Sequence, residues 1–194
     1  MTWNNDQVSK EETGKILETA RECLAHDGDY VELGCYKGDT SLLLAEILKG
    51  SNKRLYIYDS FEGLPEKSSL DESAVGEEFK GGELYVTKRE VKERFLRANL
   101  PVPVIKKAWF NELNDDDLPG KIAFAFLDGD FYESIRDSLE LAEGKITENG
   151  VMIVHDYNNP ALPGVKRAVD EWAKDNVVNI TTYRSMAVVK IKKE

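Results

Sequence analysis

The sequence predicts an α/β protein with a mostly parallel sheet, helices on both faces and one antiparallel hairpin at the C-terminus. Apolar runs of strand length alternate with segments whose apolar residues recur at helical spacing. Residues 122–127, IAFAFL, are apolar without interruption, which is typical of a central strand in a parallel sheet. Two β-rich runs, residues 177–183 and 186–191, are separated by a short break that favours a hairpin.

Each element rests on a local pattern. Ile16, Ala20 and Cys23 share one helical face, and Asn149 with Gly150 predicts a turn before a buried strand. Three consecutive aspartates, 115–117, predict a solvated turn, because the spacing of a calcium loop is missing. The predicted elements, in order, are helix 6–26, strand 30–33, helix 39–48, strand 54–58, a helix after Thr87, strand 102–106, strand 122–127, helix 133–143, strand 151–154, helix 165–172 and the hairpin.

Residues 61–97 are the least regular part of the chain. Glycine and proline interrupt them, and acidic residues crowd positions 71–78, so we expect a lid or insert that buries little surface. Within it, Thr87 and Glu90 have the spacing of a capping box and predict the start of a helix. Val91, Phe95 and Leu96 are its expected apolar residues.

Composition limits the classes of protein. A chain of 194 residues suits a single domain, residues 1–194, and a formal net charge of −10 argues against a nucleic-acid binder. No apolar run approaches the ~20 residues that span a bilayer, so we expect no membrane partner. The N-terminus lacks the pattern of a secretory signal, and the two cysteines lack a CxxC spacing, which predicts reduced thiols and a cytoplasmic protein. A homodimer is left open.

Residues 30–41, YVELGCYKGDTS, combine a strand, a glycine turn and a helix N-terminus. Such a unit brings backbone N–H groups close to a ligand, although the spacing also fits an ordinary strand–helix turn. Glu32 precedes the turn, where its carboxylate repels phosphate and suits a cationic ligand. Asp59 ends the next strand, where an acid takes the hydroxyls of a ribose. Together these residues predict an adenosine ligand without phosphate, with a sulfonium and an amino-acid tail: S-adenosylmethionine.

A second group of polar residues follows two later strands. Asp128 follows one strand, and His155 with Asp156 follows the next, so all three are expected at one edge of the sheet. Carboxylates with one imidazole suit a divalent metal such as Mg, Mn or Fe(II). The alternative is that Asp128 and Asp156 cap the helices that follow them, or that Asp130 caps instead of Asp128.

The sequence resembles the macrocin O-methyltransferase family, which acts on sugars of macrolide antibiotics. The resemblance covers residues 30–172 and is carried by the segments YDSFEGLPE, FKGGELYVTKREVKERF, KKAWFNELNDDDLP and FAFLDGDFYESIRDSLELAEGKITENGVMIVHDYNNPALPGVKRAVDEW. It implies a Rossmann-like, class I methyltransferase sheet of the catechol O-methyltransferase kind, with S-adenosylmethionine and usually Mg2+. Two departures accompany it: the family has paired acids where this chain has His155 and Asp156, and a longer N-terminal part that helps cover the substrate.

With that resemblance, we expect a divalent metal, Mg or Mn, to hold vicinal oxygens of a small-molecule hydroxyl substrate, a sugar or natural product. Asp128 is expected to take the proton, and Asp59 to bind the cofactor ribose. The other expected cofactor residues are Glu32, Gly34, Cys35, Gly38, Thr40 and Ser41 around the methionine part, Ser60, Ala108 and Trp109 around the adenine, and Asp128. The expected metal ligands are Asp128, His155 and Asp156.

Three other functions fit parts of this pattern. An NAD-dependent oxidoreductase would share the sheet and the ribose acid, but the GxGxxG spacing is missing and Glu32 would face a pyrophosphate. An Fe(II) enzyme related to cephalosporin hydroxylases would use the same imidazole and carboxylates for oxygen chemistry. A non-catalytic binding module would leave these acids and the imidazole without a reaction.

Overall fold

The computed structural model describes residues 7–75 and 79–191, which form a seven-stranded sheet in the order β3-β2-β1-β4-β5-β7-β6. Strands β1 to β5 are parallel, and β7 runs antiparallel to both β5 and β6. The strands are β1 (Asp29–Leu33), β2 (Leu55–Asp59), β3 (Val104–Lys107), β4 (Ile122–Leu127), β5 (Ile146–Val154), β6 (Val178–Tyr183) and β7 (Met186–Ile191). The helices are α1 (Lys10–Glu22), α2 (Asp39–Leu48), α3 (Lys88–Arg97), α4 (Tyr132–Glu143) and α5 (Pro163–Asp175). The predicted architecture is confirmed.

Two apolar cores lie on opposite faces of the sheet, because successive residues of a strand point to opposite sides. In β4, Phe124 and Phe126 belong to the core formed with α1, α2 and α3, whereas Ala125 and Leu127 belong to the core formed with α4 and α5. All six residues of β4 are fully buried. The carboxyl ends of β1, β2, β4 and β5 are therefore held by packing on both faces.

Four local predictions need correction. The predicted turn at Asn149 and Gly150 is wrong: both lie inside β5, and the pairing with β4 shifts register between Ile122 and Phe124 to accommodate the extra residues. Leu96 is 59% exposed, because it lies one position beyond the buried face of Phe95. Strand β3 begins two residues later than predicted. Helix α1 begins at Lys10 behind a Ser9 capping box, and residue 6 lies outside the described residues.

The insert, residues 61–97, is partly buried rather than a loose loop. Phe61, Leu64, Val91 and Phe95 are buried, and Asp71 is 2% exposed, so the expectation that this segment buries little is wrong. Thr87 and Glu90 form the predicted capping box at the start of α3. The acidic residues at 77 and 78 lie outside the described residues.

Among the described residues, no helix is both long enough and apolar enough to cross a membrane. The three aspartates at 115–117 form a short 3-10 turn that Asn114 caps, as the sequence predicted for a turn.

Gly34, directly after β1, is expected to tolerate no side chain. Its φ is 89°, and a Cβ atom there would overlap the backbone carbonyl oxygen of Asp128 at the end of β4. Gly34→Ala should therefore add a steric cost of about 1–3 kcal/mol to the roughly 1–2 kcal/mol of a left-handed alanine. Gly50→Ala is the matched control, since Gly50 has φ 83° and nothing near its added Cβ. Urea unfolding measures both free energies; equal losses would show that the close approach to Asp128 costs nothing.

Candidate active site

A single pocket collects the polar residues at the carboxyl ends of β1, β2, β4 and β5. Most of the residues predicted from the sequence contribute to its wall: Glu32, Gly34, Cys35, Thr40, Asp59, Ser60, Trp109, Asp128, His155 and Asp156. Parallel strands end at the same edge of the sheet, which is why residues from four separate parts of the chain meet there. Gly38, Ser41 and Ala108 were also predicted as cofactor residues, but they do not contribute to the wall.

Each of these three residues is adjacent in the chain to a residue of the wall. Gly38 is the residue before α2 and accepts, through its carbonyl oxygen, the N–H of Leu42. Ser41 donates its hydroxyl to Oε2 of Glu32. Ala108 donates its N–H to the carbonyl oxygen of Asp59 at 3.0 Å, which places the following residue, Trp109, against the pocket.

Glu32 is 1% exposed and contributes to the pocket wall two residues before Gly34. Burial raises the pKa of its carboxyl to about 8; the hydrogen bond from Ser41 lowers it, and the charges of Asp128, Asp59 and Asp39 raise it. A cationic ligand beside this carboxyl would favour its ionised form. The protonation of Glu32 therefore depends on the charge of whatever is bound beside it.

Asp59 organises the glycine turn through its carboxylate. Oδ2 accepts the N–H groups of Cys35 and Tyr36 at 2.9 and 3.2 Å, and Oδ1 accepts the N–H of Phe61 at 2.7 Å. The carboxylate thus ties the loop after β1 to the loop after β2. Oδ1, which accepts only one N–H, keeps a second lone pair that can accept a hydroxyl from a ligand.

His155 contacts two carboxylates in the part of the pocket formed by the loops after β4 and β5. Its Nδ1 lies 3.0 Å from Oδ1 of Asp128 and 2.9 Å from Oδ2 of Asp156, and the residue is 5% exposed. Burial lowers the pKa of this imidazole, but the charges and hydrogen bonds of the two aspartates outweigh it and raise the pKa well above its usual value. Asn159 donates its amide to the other oxygen of Asp156 at 2.9 Å.

Residues 13–187 match the family described as Macrocin-O-methyltransferase (TylF). The chain belongs to this family.

The curated relatives of this chain are O-methyltransferases by name. The chain is 31% identical, over 75% of its length and 58% of the relative's, to the 8-demethyl-8-(2,3-dimethoxy-alpha-L-rhamnosyl)-tetracenomycin-C 4'-O-methyltransferase of Streptomyces olivaceus. It is 29% identical, over 81% of its length and 65% of the relative's, to the demethyldecarbamoylnovobiocin O-methyltransferase of Streptomyces niveus. The chain thus spans about three-fifths of the length of the curated relatives it matches.

Solved structures show the same architecture. The O-methyltransferase NovP matches 91% of this chain and 79% of its own with a TM-score of 0.77 and 27% identity. The O-methyltransferase from Bacillus cereus in complex with SAH matches 98% of this chain and 84% of its own with a TM-score of 0.68; at 16% identity it is similar in fold alone. The TylF family fold is therefore present in this shorter chain.

The metal that the TylF family resemblance implies is consistent with the donor set. One ligand atom each from Asp128, His155 and Asp156 can be chosen so that all lie within 4.8 Å of one another, and all three residues face the pocket. Two carboxylates and one imidazole suit Mn2+, Fe2+, Co2+ or Zn2+ better than Mg2+, which prefers oxygen ligands. The residues present could hold a divalent cation.

Several residues of the pocket wall were not predicted from the sequence. Asp130 lies in the pocket wall two residues after Asp128, with a φ of 61°, and burial together with the charges of Asp128 and Asp156 raises the pKa of its carboxyl well above the usual value. Its place in the motif DGD was visible, but a capping role was the competing interpretation. The other wall residues not predicted include Tyr36, Phe110, Ser134 and Asn159, and from the insert Leu64, Pro65, Phe79 and Leu84.

Proposed function

We propose that this chain is an S-adenosylmethionine-dependent O-methyltransferase that acts on a hydroxyl of a small molecule, a sugar or another natural product. The observation that carries the proposal is one pocket with two chemically different sides. One side joins a glycine turn to Glu32 and Asp59, and the other joins Asp128, His155 and Asp156. Membership of the TylF family and the named activities of its relatives support the same reaction.

The cofactor belongs to the side formed by the loops after β1 and β2. When bound, S-adenosylmethionine supplies an electrophilic methyl group on a positively charged sulfur. Glu32 offers a carboxyl to the positive charge of the methionine part, and Asp59 offers the second lone pair of Oδ1 to a ribose hydroxyl. Trp109 would present an aromatic ring to the adenine, and Ser60 also contributes to the wall. The O-methyltransferase from Bacillus cereus, whose structure is a complex with SAH, has the same fold.

The acceptor belongs to the side formed by the loops after β4 and β5. Asp128, His155 and Asp156 would hold a divalent cation, which lowers the pKa of a bound hydroxyl. The carboxylate proposed to take the proton from that hydroxyl is Asp128, the residue expected from the sequence, or Asp130, because both line the pocket. Asp128 contacts His155 at 3.0 Å, whereas Asp130 is not one of the three proposed metal ligands. The protein's main contribution is to align the acceptor oxygen with the methyl group.

The insert, residues 61–97, covers the pocket in this proposal. Leu64, Pro65, Phe79 and Leu84 contribute apolar surface to the wall. Such surface excludes water from the site of transfer and surrounds the apolar parts of an acceptor.

Binding calorimetry tests the proposed function. We expect heats of binding with S-adenosylmethionine and S-adenosylhomocysteine and none with NAD. Asp59→Ala should weaken the affinity by roughly 10- to 100-fold, because the ribose hydroxyls lose a charge-assisted acceptor worth about 1.5–3 kcal/mol. Asp29→Ala is the matched control: Asp29 lies at the opposite end of β1 and accepts the N–H of Arg54 at 2.8 Å, far from the pocket.

Tight NAD binding without any heat from S-adenosylmethionine would reject the proposal. A loss of cofactor affinity in Asp29→Ala equal to that in Asp59→Ala would instead assign the effect of Asp59 to general weakening of the sheet.

A further inference from the structure

We propose that Asp71, in the insert, is a positioning residue that sets the relative placement of the two loops carrying the pocket acids. The proposal rests on the proposed function for its meaning, but the contacts that carry it and its test do not depend on any bound ligand. Asp71 lies outside the pocket wall and is 2% exposed. A buried carboxylate in a polar, irregular insert is costly unless it is hydrogen-bonded to particular partners.

The first partner of Asp71 is the N-terminus of α4. Its Oδ1 accepts the N–H of Tyr132, the first residue of α4, at 2.7 Å across 61 positions of sequence. The residue that precedes α4, Phe131, provides no side-chain cap of its own. Asp71 therefore supplies from a distance the cap that local sequence lacks, and its negative charge suits the positive end of the helix. The capped turn immediately follows Asp128 and Asp130.

The second partner is the N-terminus of α5. A Cβ atom added to Gly164, in the first turn of α5, would overlap Oδ1 of Asp71, so the carboxylate lies directly against this glycine backbone. Nearby, the hydroxyl of Ser73 donates to the carbonyl oxygen of Pro160 at 2.8 Å. Leu162, which precedes α5, also provides no side-chain cap. One carboxylate thus joins the starts of two neighbouring helices.

The start of α5 is tied in turn to the pocket. The N–H of Leu162 donates to the carbonyl oxygen of Asn159 at 3.1 Å, and the amide of Asn159 donates to Oδ1 of Asp156 at 2.9 Å. Asp128, in the loop before α4, and Asp156, in the loop before α5, share Nδ1 of His155. The geometry of these three residues therefore depends on the distance between the α4 and α5 loops, which Asp71 bridges.

Asp71 is itself held in place. The N–H and the hydroxyl of Ser68 donate to its Oδ2 at 3.1 and 2.7 Å, so both carboxylate oxygens are engaged. The insert is consequently anchored at residues 68–73 against the helices that frame the acceptor side.

The experiment uses the full chain without cofactor or metal. It compares wild type with Asp71→Ala, Asp71→Asn, Gly164→Ala and the double variant Asp71→Ala/Gly164→Ala. Ser73→Ala is the control, because it removes a hydrogen bond between the insert and the loop before α5 while leaving the contacts of Asp71 in place. The readout is the 15N and 1H shifts of the imidazole ring of His155 at one fixed pH. His26, the only other histidine in the sequence, is the internal reference.

We expect Asp71→Ala and Gly164→Ala each to shift the His155 ring signals while the His26 signals stay in place. Asp71→Asn, whose amide oxygen can still accept the N–H of Tyr132, should restore most of the wild-type shifts. The double variant should lose much less stability in urea than the sum of the single variants, because the added methyl group occupies the space of the missing carboxylate. Hydrogen exchange at the Tyr132 amide should accelerate roughly tenfold or more in Asp71→Ala.

Unchanged His155 signals in folded Asp71→Ala, or in Gly164→Ala if Asp71→Ala does not fold, would overturn the proposal and leave Asp71 a helix cap without influence on the pocket. Equal shifts in Ser73→Ala would also overturn it. Neither outcome bears on whether the protein binds S-adenosylmethionine, so failure of this inference and failure of the proposed function are distinguishable.

Discussion

Replacement of His155 by aspartate is expected to change which metal the protein prefers. Wild type should bind Mn2+ or Fe2+ roughly tenfold or more tightly than Mg2+, because an imidazole suits these ions and Mg2+ prefers oxygen ligands. His155→Asp adds an anionic oxygen ligand and should restore a preference for Mg2+. Calorimetric titrations of each metal into both proteins measure the order. His26→Asn is the control, since His26 is the only other histidine.

The pH dependence of metal binding should distinguish the same two proteins. In the metal-free protein the pKa of His155 is raised well above its usual value, because Asp128 and Asp156 together outweigh burial. A metal that binds the imidazole must displace this proton, so affinity should fall as the pH falls through the raised pKa, by up to about tenfold per pH unit. The loss should therefore begin at a higher pH than the roughly 6.5 of a free histidine.

His155→Asp should lack this loss in the neutral range. If both proteins show the same metal order and the same pH profile, His155 is not a ligand, and the metal set shrinks to Asp128 and Asp156. In that case His155 would orient the two carboxylates without binding the metal itself.

Replacement of Glu32 by glutamine is expected to abolish the release of a proton that accompanies cofactor binding. The pKa of Glu32 is about 8 in the ligand-free protein, so the carboxyl is mostly protonated at neutral pH. A ligand with a positive charge favours the carboxylate, so binding should release a proton and tighten as the pH rises from 6 to 8, by up to about tenfold per unit. Glu32→Gln should bind S-adenosylhomocysteine roughly 10- to 100-fold more weakly at pH 8 and without this pH dependence.

Calorimetry in buffers of different ionisation enthalpy counts the released proton directly. The matched ligand is 5′-methylthioadenosine, which lacks the amino-acid part and should bind with the same affinity at each pH. Glu46→Gln, on the exposed face of α2, is the control variant. A flat wild-type profile, or a slope that persists in Glu32→Gln, would show that Glu32 does not face the charged part of the cofactor.

The same raised pKa has a consequence for the stability of the ligand-free protein. A carboxyl with a higher pKa in the folded than in the unfolded state stabilises the fold below its unfolded value, and that contribution is lost as the pH rises through the folded value. For Glu32 the loss extends from 4.5 to about 8. The buried carboxyl therefore works against the stability of the empty protein at neutral pH.

Local sequence patterns determined the elements and the edge of the sheet at which the polar residues would meet. The IAFAFL run predicted β4, and Thr87 with Glu90 predicted the start of α3, because apolar periodicity and capping act over a few residues. The expected pocket residues Glu32, Asp59 and Asp128 followed from one rule: side chains just after parallel strands converge. The segments that resemble the macrocin O-methyltransferases predicted the family, which the match over residues 13–187 confirms.

Tertiary structure decided what each polar residue contacts. The sequence placed Asp59 near a ribose, but only the folded chain shows its carboxylate accepting the N–H groups of Cys35 and Tyr36. It treated Asp71 as one acid in a loosely packed insert, whereas the carboxylate lies buried between two helix starts. Hydrogen bonds between residues 61 positions apart leave no local pattern in a sequence, because their partners are brought together only when the sheet and its helices pack.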